Sequence, residues 1–173
     1  MKQKNKICII GAGSIGTALG QVLANCDQLE VSLLSIEKDV VSDINELHVN
    51  RTYFPQIKLN TWLKATTDES ILSSSDFIFI AIPSTAIIPY INRVKEHINQ
   101  EAVLINLAKG FANNNETIVD DLRNIVANPV CSLKGPTFAR ELINNMPTAM
   151  TVGADEYKIY IQLLEIFKGS IIH

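Results

Sequence analysis

Residues 6–16 read KICIIGAGSIG, and this stretch decides the fold. The apolar run Ile7–Ile10 is followed at once by glycines in the spacing G-x-G-x-x-G, and a further apolar stretch comes after them. Because glycine tolerates a tight turn, the pattern predicts a buried strand that turns directly into a helix. Backbone amides at the start of such a helix attract an anion. The stretch therefore predicts an anion-binding turn near the amino terminus.

Each glycine of this loop has its own task in a dinucleotide-binding turn. Gly11 permits the tight turn, Gly13 lets the backbone approach a pyrophosphate, and Gly16 lets the helix pack against the strand. The amides of Ser14 and Ile15 are expected to point at the phosphates. The glycine loop, residues 11–16, therefore predicts a site for NAD or NADP.

The choice between the two cofactors depends on the end of the second apolar run. Glu37 lies about 20 positions after the loop, where a carboxylate suits the ribose 2′-hydroxyl of NAD. Lys38 follows directly, and its ammonium suits the 2′-phosphate of NADP. Both are candidate cofactor contacts, a solvated helix start is the alternative for each, and the choice between NAD and NADP stays open.

Short apolar runs alternate with amphipathic stretches along the whole chain. This alternation predicts an α/β fold, a doubly wound, mostly parallel sheet of the Rossmann type that occupies residues 1–173 as one domain. The predicted strands are Lys6–Ile10, Glu30–Leu34, Leu63–Thr66, Phe77–Ile82, Val103–Leu107, Val130–Leu133 and Ala149–Val152. The predicted helices are Ser14–Asn25, Lys38–Val49, Glu69–Ser73, Thr85–His97, Asn115–Val126, Thr137–Asn144 and Glu156–Phe167.

Two of these helices have a predicted buried face. In the fourth helix, apolar residues recur at steps of three and four, namely Ile87, Ile88, Ile91, Val94 and Ile98. In the last helix the same spacing selects Tyr160, Leu163, Leu164 and Phe167. We expect both faces to cover the sheet.

Composition indicates a small-molecule partner. With 47% hydrophobic and 19% charged residues and a net charge of −3, nothing indicates disorder, a nucleic-acid partner or a membrane surface. The longest apolar run, Phe77–Pro83, is far shorter than the ~20 residues that span a bilayer. The cysteines Cys8, Cys26 and Cys131 form no C-x-x-C pair, so we expect buried thiols, no metal site and a cytoplasmic protein.

The residues that follow the later strands are the candidates for chemistry, because ligands sit beyond the carboxyl ends of parallel strands. Pro83 precedes Ser84 and Thr85, one of which is expected to cap the next helix while the loop packs against a nicotinamide. Lys109 places an ammonium after the fifth strand, where it suits a developing alkoxide or a phosphate. A solvated lysine is the alternative.

Two more segments have open interpretations. Residues 134–141 read KGPTFARE, a glycine-proline turn and helix start that offers free amides and a hydroxyl to an anion, or is a turn alone. Residues 50–55, NRTYFP, break the alternation with an aromatic pair before a proline. They form a loop with a function or a loop that fills a gap in the core.

Together these residues resemble the amino-terminal domain of bacterial NAD(P)-dependent glycerol-3-phosphate dehydrogenases. The resemblance is distributed over most of the chain. It is carried by residues 11–14 and 16–19, Asn50 with Phe54-Pro55, Ile82-Pro83-Ser84, Ala108-Lys109-Gly110, and residues 135–139 with Glu141. Two positions depart from the usual pattern: Ile15 replaces an aromatic residue, and Lys134 replaces a small one.

The resemblance implies reversible hydride transfer between NAD(P)H and dihydroxyacetone phosphate, giving sn-glycerol 3-phosphate for phospholipid synthesis. It implies that Lys109 contacts both cofactor and substrate, that Gly135 and Thr137 line the substrate site, and that Ala139 contacts the cofactor. The partner is then a small molecule, with neither nucleic acid nor membrane insertion, and a homodimer is compatible with the full-length protein.

The resemblance also implies that the family's catalytic lysine belongs to a helical second domain. We expect residues 170–173 to begin an eighth strand before that domain, and we expect the chain alone to bind cofactor without turnover. His48, His97 and His173 are interpreted as structural. The alternatives are a related hydroxyacid or ketopantoate-type dehydrogenase and a non-catalytic module that senses NAD(P)H, since fold alone does not fix substrate.

Overall fold

The computed structural model describes residues 4–109, 117–136 and 138–173. The predicted apolar runs form strands, and the segments between them form helices on both sides of one sheet. The strands are β1 (Asn5–Ile10), β2 (Leu29–Leu34), β3 (Lys64–Thr66), β4 (Phe77–Ile80), β5 (Val103–Asn106), β6 (Val130–Lys134) and β7 (Thr151–Gly153). The α-helices are α1 (Ser14–Ala24), α2 (Lys38–Ser42), α3 (Ser84–Val94), α4 (Ile118–Ile125), α5 (Ala139–Ile143) and α6 (Tyr157–Phe167).

The order of the strands in the sheet is β3-β2-β1-β4-β5-β6-β7. The pairs from β3 across to β6 are parallel, and Ile10 of β1 lies between Leu34 of β2 and Ile80 of β4. The chain builds outward from β1 in one direction and from β4 in the other. The order of connection therefore reverses between β1 and β4, and ligands of open α/β sheets bind beyond the carboxyl ends at such a point.

Helices cover both faces of the sheet, as expected for a doubly wound fold. Ile7 and Ile9 of β1 point to the face packed by α1, α5 and α6, while Cys8 and Ile10 point to the face packed by α3 and α4. Successive side chains of a strand alternate between faces, and all four are buried because each face has its own layer of helices. The predicted Rossmann-type fold is confirmed.

The predicted buried face of α3 is confirmed for Ile87, Ile91 and Val94, whereas Ile88 is half-buried and the buried Ile98 lies beyond the end of the helix. The predicted buried face of α6 is wrong in part. Leu163 and Phe167 are buried, whereas Tyr160 and Leu164 are 41% and 49% exposed. The buried stripe runs instead along Ile159, Leu163, Ile166 and Phe167, at steps of three and four. Because α6 carries apolar residues on two adjacent stripes, spacing alone could not tell which one packs against the sheet.

Several boundaries differ from the predicted ones. The second helix turns from α-helix to π-helix over Asp43–Leu47, and the segment Glu69–Ser74 is a 3-10 helix. Strand β7 pairs antiparallel with β6, so the sheet is mostly rather than wholly parallel. At the expected eighth strand, Ile172 forms a single parallel bridge with Thr148.

The cap predicted for the fourth helix is wrong. Helix α3 begins at Ser84 itself, and the cap position is occupied by Pro83, so that Ser84 and Thr85 lie inside the first turn. No side chain caps this end. The proline favours this boundary because its ring fixes φ, here −54°, at a value that leads into a helix.

The cysteines are free and buried, as expected. Burial raises the pKa of the Cys8 and Cys131 thiols to about 12. None of the helices in the described part of the chain is both long and apolar enough to cross a membrane. Within that same part, no three His, Cys, Asp or Glu side chains are grouped so as to hold a metal ion.

Candidate functional site

The glycine loop has the geometry that its sequence predicts. Gly11 has φ +105°, and its amide donates to the carbonyl of Leu34 at 2.8 Å. A Cβ atom on Gly11 would lie 2.8 Å from the carbonyl oxygen of Ala81, and a Cβ atom on Gly16 would overlap the carbonyl oxygen of Gly11. Only glycine therefore fits at these two positions.

At Gly13, unlike at Gly11 and Gly16, there is open space where a Cβ atom would lie. The nearest atoms to a Cβ atom built there belong to the ring of Tyr53, at 3.9 Å or more. Helix α1 starts directly after Gly13 without a side-chain cap, which leaves the amides of Ser14, Ile15 and Gly16 without an intrahelical partner. A phosphate group fits this cradle, because it accepts hydrogen bonds from amides at the positive end of a helix.

The loop at residues 50–55 is hydrogen-bonded to the glycine loop and to the start of α1. Asn50 is fully buried, and its amide group donates to the carbonyl of Ala12 and to the hydroxyl of Thr17, each at 2.9 Å. Phe54 packs in the core, whereas Tyr53 is 40% exposed and lines the cavity beside Gly13. The interpretation as a loop that fills a gap in the core therefore holds for Phe54, and a functional role for Tyr53 stays a prediction.

A cavity of about 420 Å³, the large cavity, lies beyond the carboxyl ends of β1, β2 and β4, at the point where the strand order reverses. This volume lies within the range of small-molecule sites, roughly 300–1,000 Å³. The glycine loop and Pro83 form part of its wall. Its polar lining residues are Ser35, Glu37, Tyr53, Thr67, Glu69 and Tyr90.

The large cavity is acidic. Glu37 lies just after β2, and Glu69 accepts two hydrogen bonds from Arg93, at 2.6 and 2.8 Å, which hold the pKa of that carboxyl below its usual range. Burial, and then the neighbouring Glu69, raise the pKa of Tyr90 above its usual range. Among the described residues that line this cavity there is no lysine or arginine, so Lys38 is not part of its lining.

A second cavity of about 60 Å³, the small cavity, lies along the same edge beyond β5 and β6. Its lining includes Ile15 from the start of α1, Lys109 after β5, and Lys134 with Gly135 at the end of β6. Burial lowers the pKa of Lys134, and the neighbouring charge of Lys109 lowers it further. The small cavity therefore combines an apolar wall with two cationic side chains.

The structure distributes the predicted site residues over these features. Gly11, Gly13, Glu37 and Pro83 line the large cavity, and Ile15, Lys109 and Gly135 line the small one. Ser14 and Gly16 lie at the start of α1. Lys38 and Ala139 line neither cavity, and Thr137 lies outside the described residues. The cofactor and substrate contacts of all the predicted site residues stay predictions.

Sequence reasoning missed the polar residues that reach the site from a distance in the chain. Tyr90 comes from the second turn of α3 and Glu69 from a 3-10 helix, and neither lies at the end of a strand. Asn106, at the end of β5, is buried and accepts from the amide of Ala108 at 2.9 Å. Asn106 could have been predicted from the sequence, because it is a polar residue at the end of an otherwise apolar strand.

A parallel sheet with this reversal, a glycine cradle at the first helix and a cavity above it define a dinucleotide-binding domain of the Rossmann type. Comparison with known sequences makes the assignment specific. The sequence family described as NAD-dependent glycerol-3-phosphate dehydrogenase N-terminus matches residues 6–160. The chain belongs to this family, and the resemblance described above is confirmed.

Individual relatives agree. The chain is 31% identical over 168 residues to glycerol-3-phosphate dehydrogenase [NAD(P)+] of Bacillus subtilis (strain 168), covering 94% of this chain and 48% of that protein. It is 30% identical to the chloroplastic glycerol-3-phosphate dehydrogenase [NAD(+)] 2 of Arabidopsis thaliana, covering 99% and 42%. The chain thus spans about half the length of the curated relatives that it matches.

Solved structures show the same relation. The crystal structure of glycerol-3-phosphate dehydrogenase from Coxiella burnetii superposes with a TM-score of 0.89 at 31% identity, covering 98% of this chain and 53% of that one. A UDP-glucose dehydrogenase from Pyrobaculum islandicum superposes with a TM-score of 0.71 at 12% identity, over 97% and 45% of the two chains. At that identity the likeness shows the fold alone.

Proposed function

We propose that this chain is the cofactor-binding half of a dehydrogenase that interconverts dihydroxyacetone phosphate and sn-glycerol 3-phosphate for phospholipid synthesis. One observation carries the proposal: in a chain of this family, the open cradle at Gly13 and the ammonium of Lys109 lie along the same edge of the sheet. The cradle suits the pyrophosphate of a dinucleotide, and the cation suits the oxygen of a ketone that is being reduced.

The bound nicotinamide cofactor would supply or accept the hydride. The chain's own residues bind and orient it. The amides of Ser14 and Ile15 would hold the pyrophosphate, and the large cavity would take the adenosine half between Glu37 and Pro83. The small cavity would then lie at the nicotinamide end, beside Ile15.

We propose NAD rather than NADP as the preferred cofactor. Glu37 reaches the large cavity and suits a ribose 2′-hydroxyl as hydrogen-bond acceptor. A 2′-phosphate would meet this carboxylate and that of Glu69 instead. No described lysine or arginine lines the cavity to compensate, and the charge of Arg93 is already engaged by Glu69.

At the substrate end, Lys109 would stabilise the negative charge that develops on the carbonyl oxygen during reduction. The turn at Gly135 and Thr137 is proposed to line the substrate site, and Ala139 to contact the cofactor, as the resemblance implies. The general acid–base residue is proposed to lie in a second domain outside residues 1–173. The 173 residues alone are then expected to bind cofactor without efficient turnover.

Location and assembly follow the same proposal. The buried thiols and the metabolic substrate favour the cytoplasm. A homodimer is proposed for the full-length protein, with no nucleic acid and no membrane insertion.

Calorimetric titration of the 173-residue chain with NADH and with NADPH tests the proposal. NADH is expected to bind one per chain and more tightly than NADPH, and the chain is expected to reduce dihydroxyacetone phosphate at no more than a trace rate. A folded chain that binds neither cofactor would contradict the proposed function. Efficient turnover by the chain alone would contradict the placement of the proton-transfer residue outside it.

A further inference from the structure

Lys134 lines the small cavity, and the family resemblance assigns it no role. It is the last residue of β6 and directly precedes the Gly135-Pro136 turn. Its side chain is half-buried and lines the small cavity together with Lys109. Partial burial of a cationic side chain costs solvation unless a hydrogen-bond acceptor compensates for the lost water.

The ammonium of Lys134 donates a hydrogen bond to the carbonyl of Ala108. The parallel pairing of β5 with β6 ends at Asn106 and Ser132, so this bond connects the two strand ends beyond the regular ladder. It crosses from the last residue of β6 to the residue directly before Lys109. The carboxyl ends of two strands are thereby linked at the edge where the site lies.

Ala108 is held from both sides. Its amide donates to the side-chain oxygen of Asn106 at 2.9 Å, while its carbonyl accepts from Lys134. Asn106 is itself 2% exposed and fixed in the strand. With amide and carbonyl both engaged, rotation of the peptide units on either side of Ala108 is restricted, and the backbone of Lys109 begins from a fixed point.

We propose that Lys134 is a positioning residue, which fixes the backbone that presents Lys109 to the site by donating to the Ala108 carbonyl. The catalytic meaning of this role rests on the proposed function, in which Lys109 contacts the substrate. The hydrogen bond from Lys134 to the Ala108 carbonyl, here called the clamp, does not depend on that function. Lys134 also brings a second positive charge into the small cavity. An ammonium carries three donors, so one bond to Ala108 leaves donors that can face a negatively charged oxygen.

The clamp can be measured without cofactor or substrate, by NMR on the labelled 173-residue chain. Two signals report on it: the carbonyl ¹³C shift of Ala108, and hydrogen exchange of the Ala108 and Lys109 amides relative to that of Ile105 in β5. In K134M the carbonyl signal is expected to move upfield, and the relative exchange to rise about tenfold, as for loss of a hydrogen bond from a charged donor.

Two further variants complete the test. K134R keeps a charged donor, so the Ala108 carbonyl shift and the relative exchange rates are expected to stay as in the unchanged chain. K64M is the matched control, because Lys64 also donates to a backbone carbonyl, that of Thr61 at 3.0 Å, but lies exposed at the amino end of β3. It is expected to leave Ala108 and Lys109 unchanged.

Three outcomes would overturn the proposal. The first is a carbonyl shift and relative exchange that stay unchanged in K134M, and the second is a change of both in K134R as large as that expected for K134M. The third is hydrogen exchange that rises equally at the amides of Ile105 and Lys109 in K134M, which would indicate general destabilisation. Failure of the chain to bind NADH with the clamp intact would contradict the proposed function and leave the clamp standing. The two claims therefore fail separately.

Discussion

Replacing Gly13 by alanine separates cofactor binding from folding. The new methyl group would find its nearest neighbours at 3.9 Å, an ordinary contact, and the φ of −71° at this position suits alanine. The free energy of unfolding is therefore expected to fall by no more than about 1 kcal/mol, the scale of a cap substitution. The methyl group would instead occupy the open space into which a pyrophosphate must fit.

The expected loss of affinity follows from that overlap. Forcing a methyl group into a fitted contact costs about 1–3 kcal/mol, which corresponds to a dissociation constant for NADH that is roughly 5- to 150-fold larger. Calorimetry measures the affinity, and denaturant unfolding measures the stability of the same sample.

Gly20→Ala provides the matched comparison. Gly20 lies on the buried face of α1, where a Cβ atom would come within 2.9 Å of Leu33 and 3.1 Å of Leu63. Overpacking, offset by the higher helix propensity of alanine, is expected to cost about 1 kcal/mol of stability, with unchanged NADH affinity. The reasoning is refuted if Gly13→Ala binds NADH as the unchanged chain does, or if Gly20→Ala loses the greater share of affinity.

Three further predictions concern other parts of the molecule. Glu37→Gln is expected to narrow the preference for NADH over NADPH, because a neutral amide repels the 2′-phosphate less; competitive titration measures the ratio, and an unchanged ratio removes Glu37 from cofactor choice. Arg51 donates to both carboxylate oxygens of buried Asp43 and lowers the pKa of that group, so its stabilisation is present at neutral pH and lost as pH falls through the lowered pKa. Asp43→Asn is therefore expected to be less stable at pH 7 and to lose less stability on acidification, and unfolding curves that stay parallel from pH 7 into the acid range would contradict this. Because burial raises the pKa of Cys8 and Cys131 to about 12, both thiols are expected to resist a disulfide reagent at pH 8 until denaturant is added, and rapid labelling of the folded chain would be the opposite result.

The parts of the site that sequence predicts are those built by local geometry. The roles of Gly11 and Gly16 are predictable from sequence, because the backbone turn and the contact of helix with strand leave no room for a side chain at either position. The sequence also predicts that Lys109 lies at the sheet edge, because it follows directly after a strand whose position in the sheet the alternation indicates. For the same reason most strands were predicted within a few residues.

The parts that sequence does not predict depend on packing between distant segments. Tyr53 reaches Gly13 because Asn50 anchors its loop to the glycine loop, a contact between residues 38 positions apart. The antiparallel direction of β7 and the choice of buried stripe on α6 are likewise decided by neighbours, since either stripe of α6 is apolar enough to be buried. The bond from Lys134 to Ala108 has no local signal beyond an unusual residue at that position.

The most direct test of the central claim is an NMR titration of the ¹⁵N-labelled chain with NADH. The account predicts saturable shifts of the amides at residues 11–16 and around Glu37 and Tyr53, with smaller changes at the small cavity and none on the outer face of α6. Binding that leaves the glycine loop unshifted, or no binding by the folded chain, would contradict the assignment of this domain as the cofactor-binding half of a dehydrogenase.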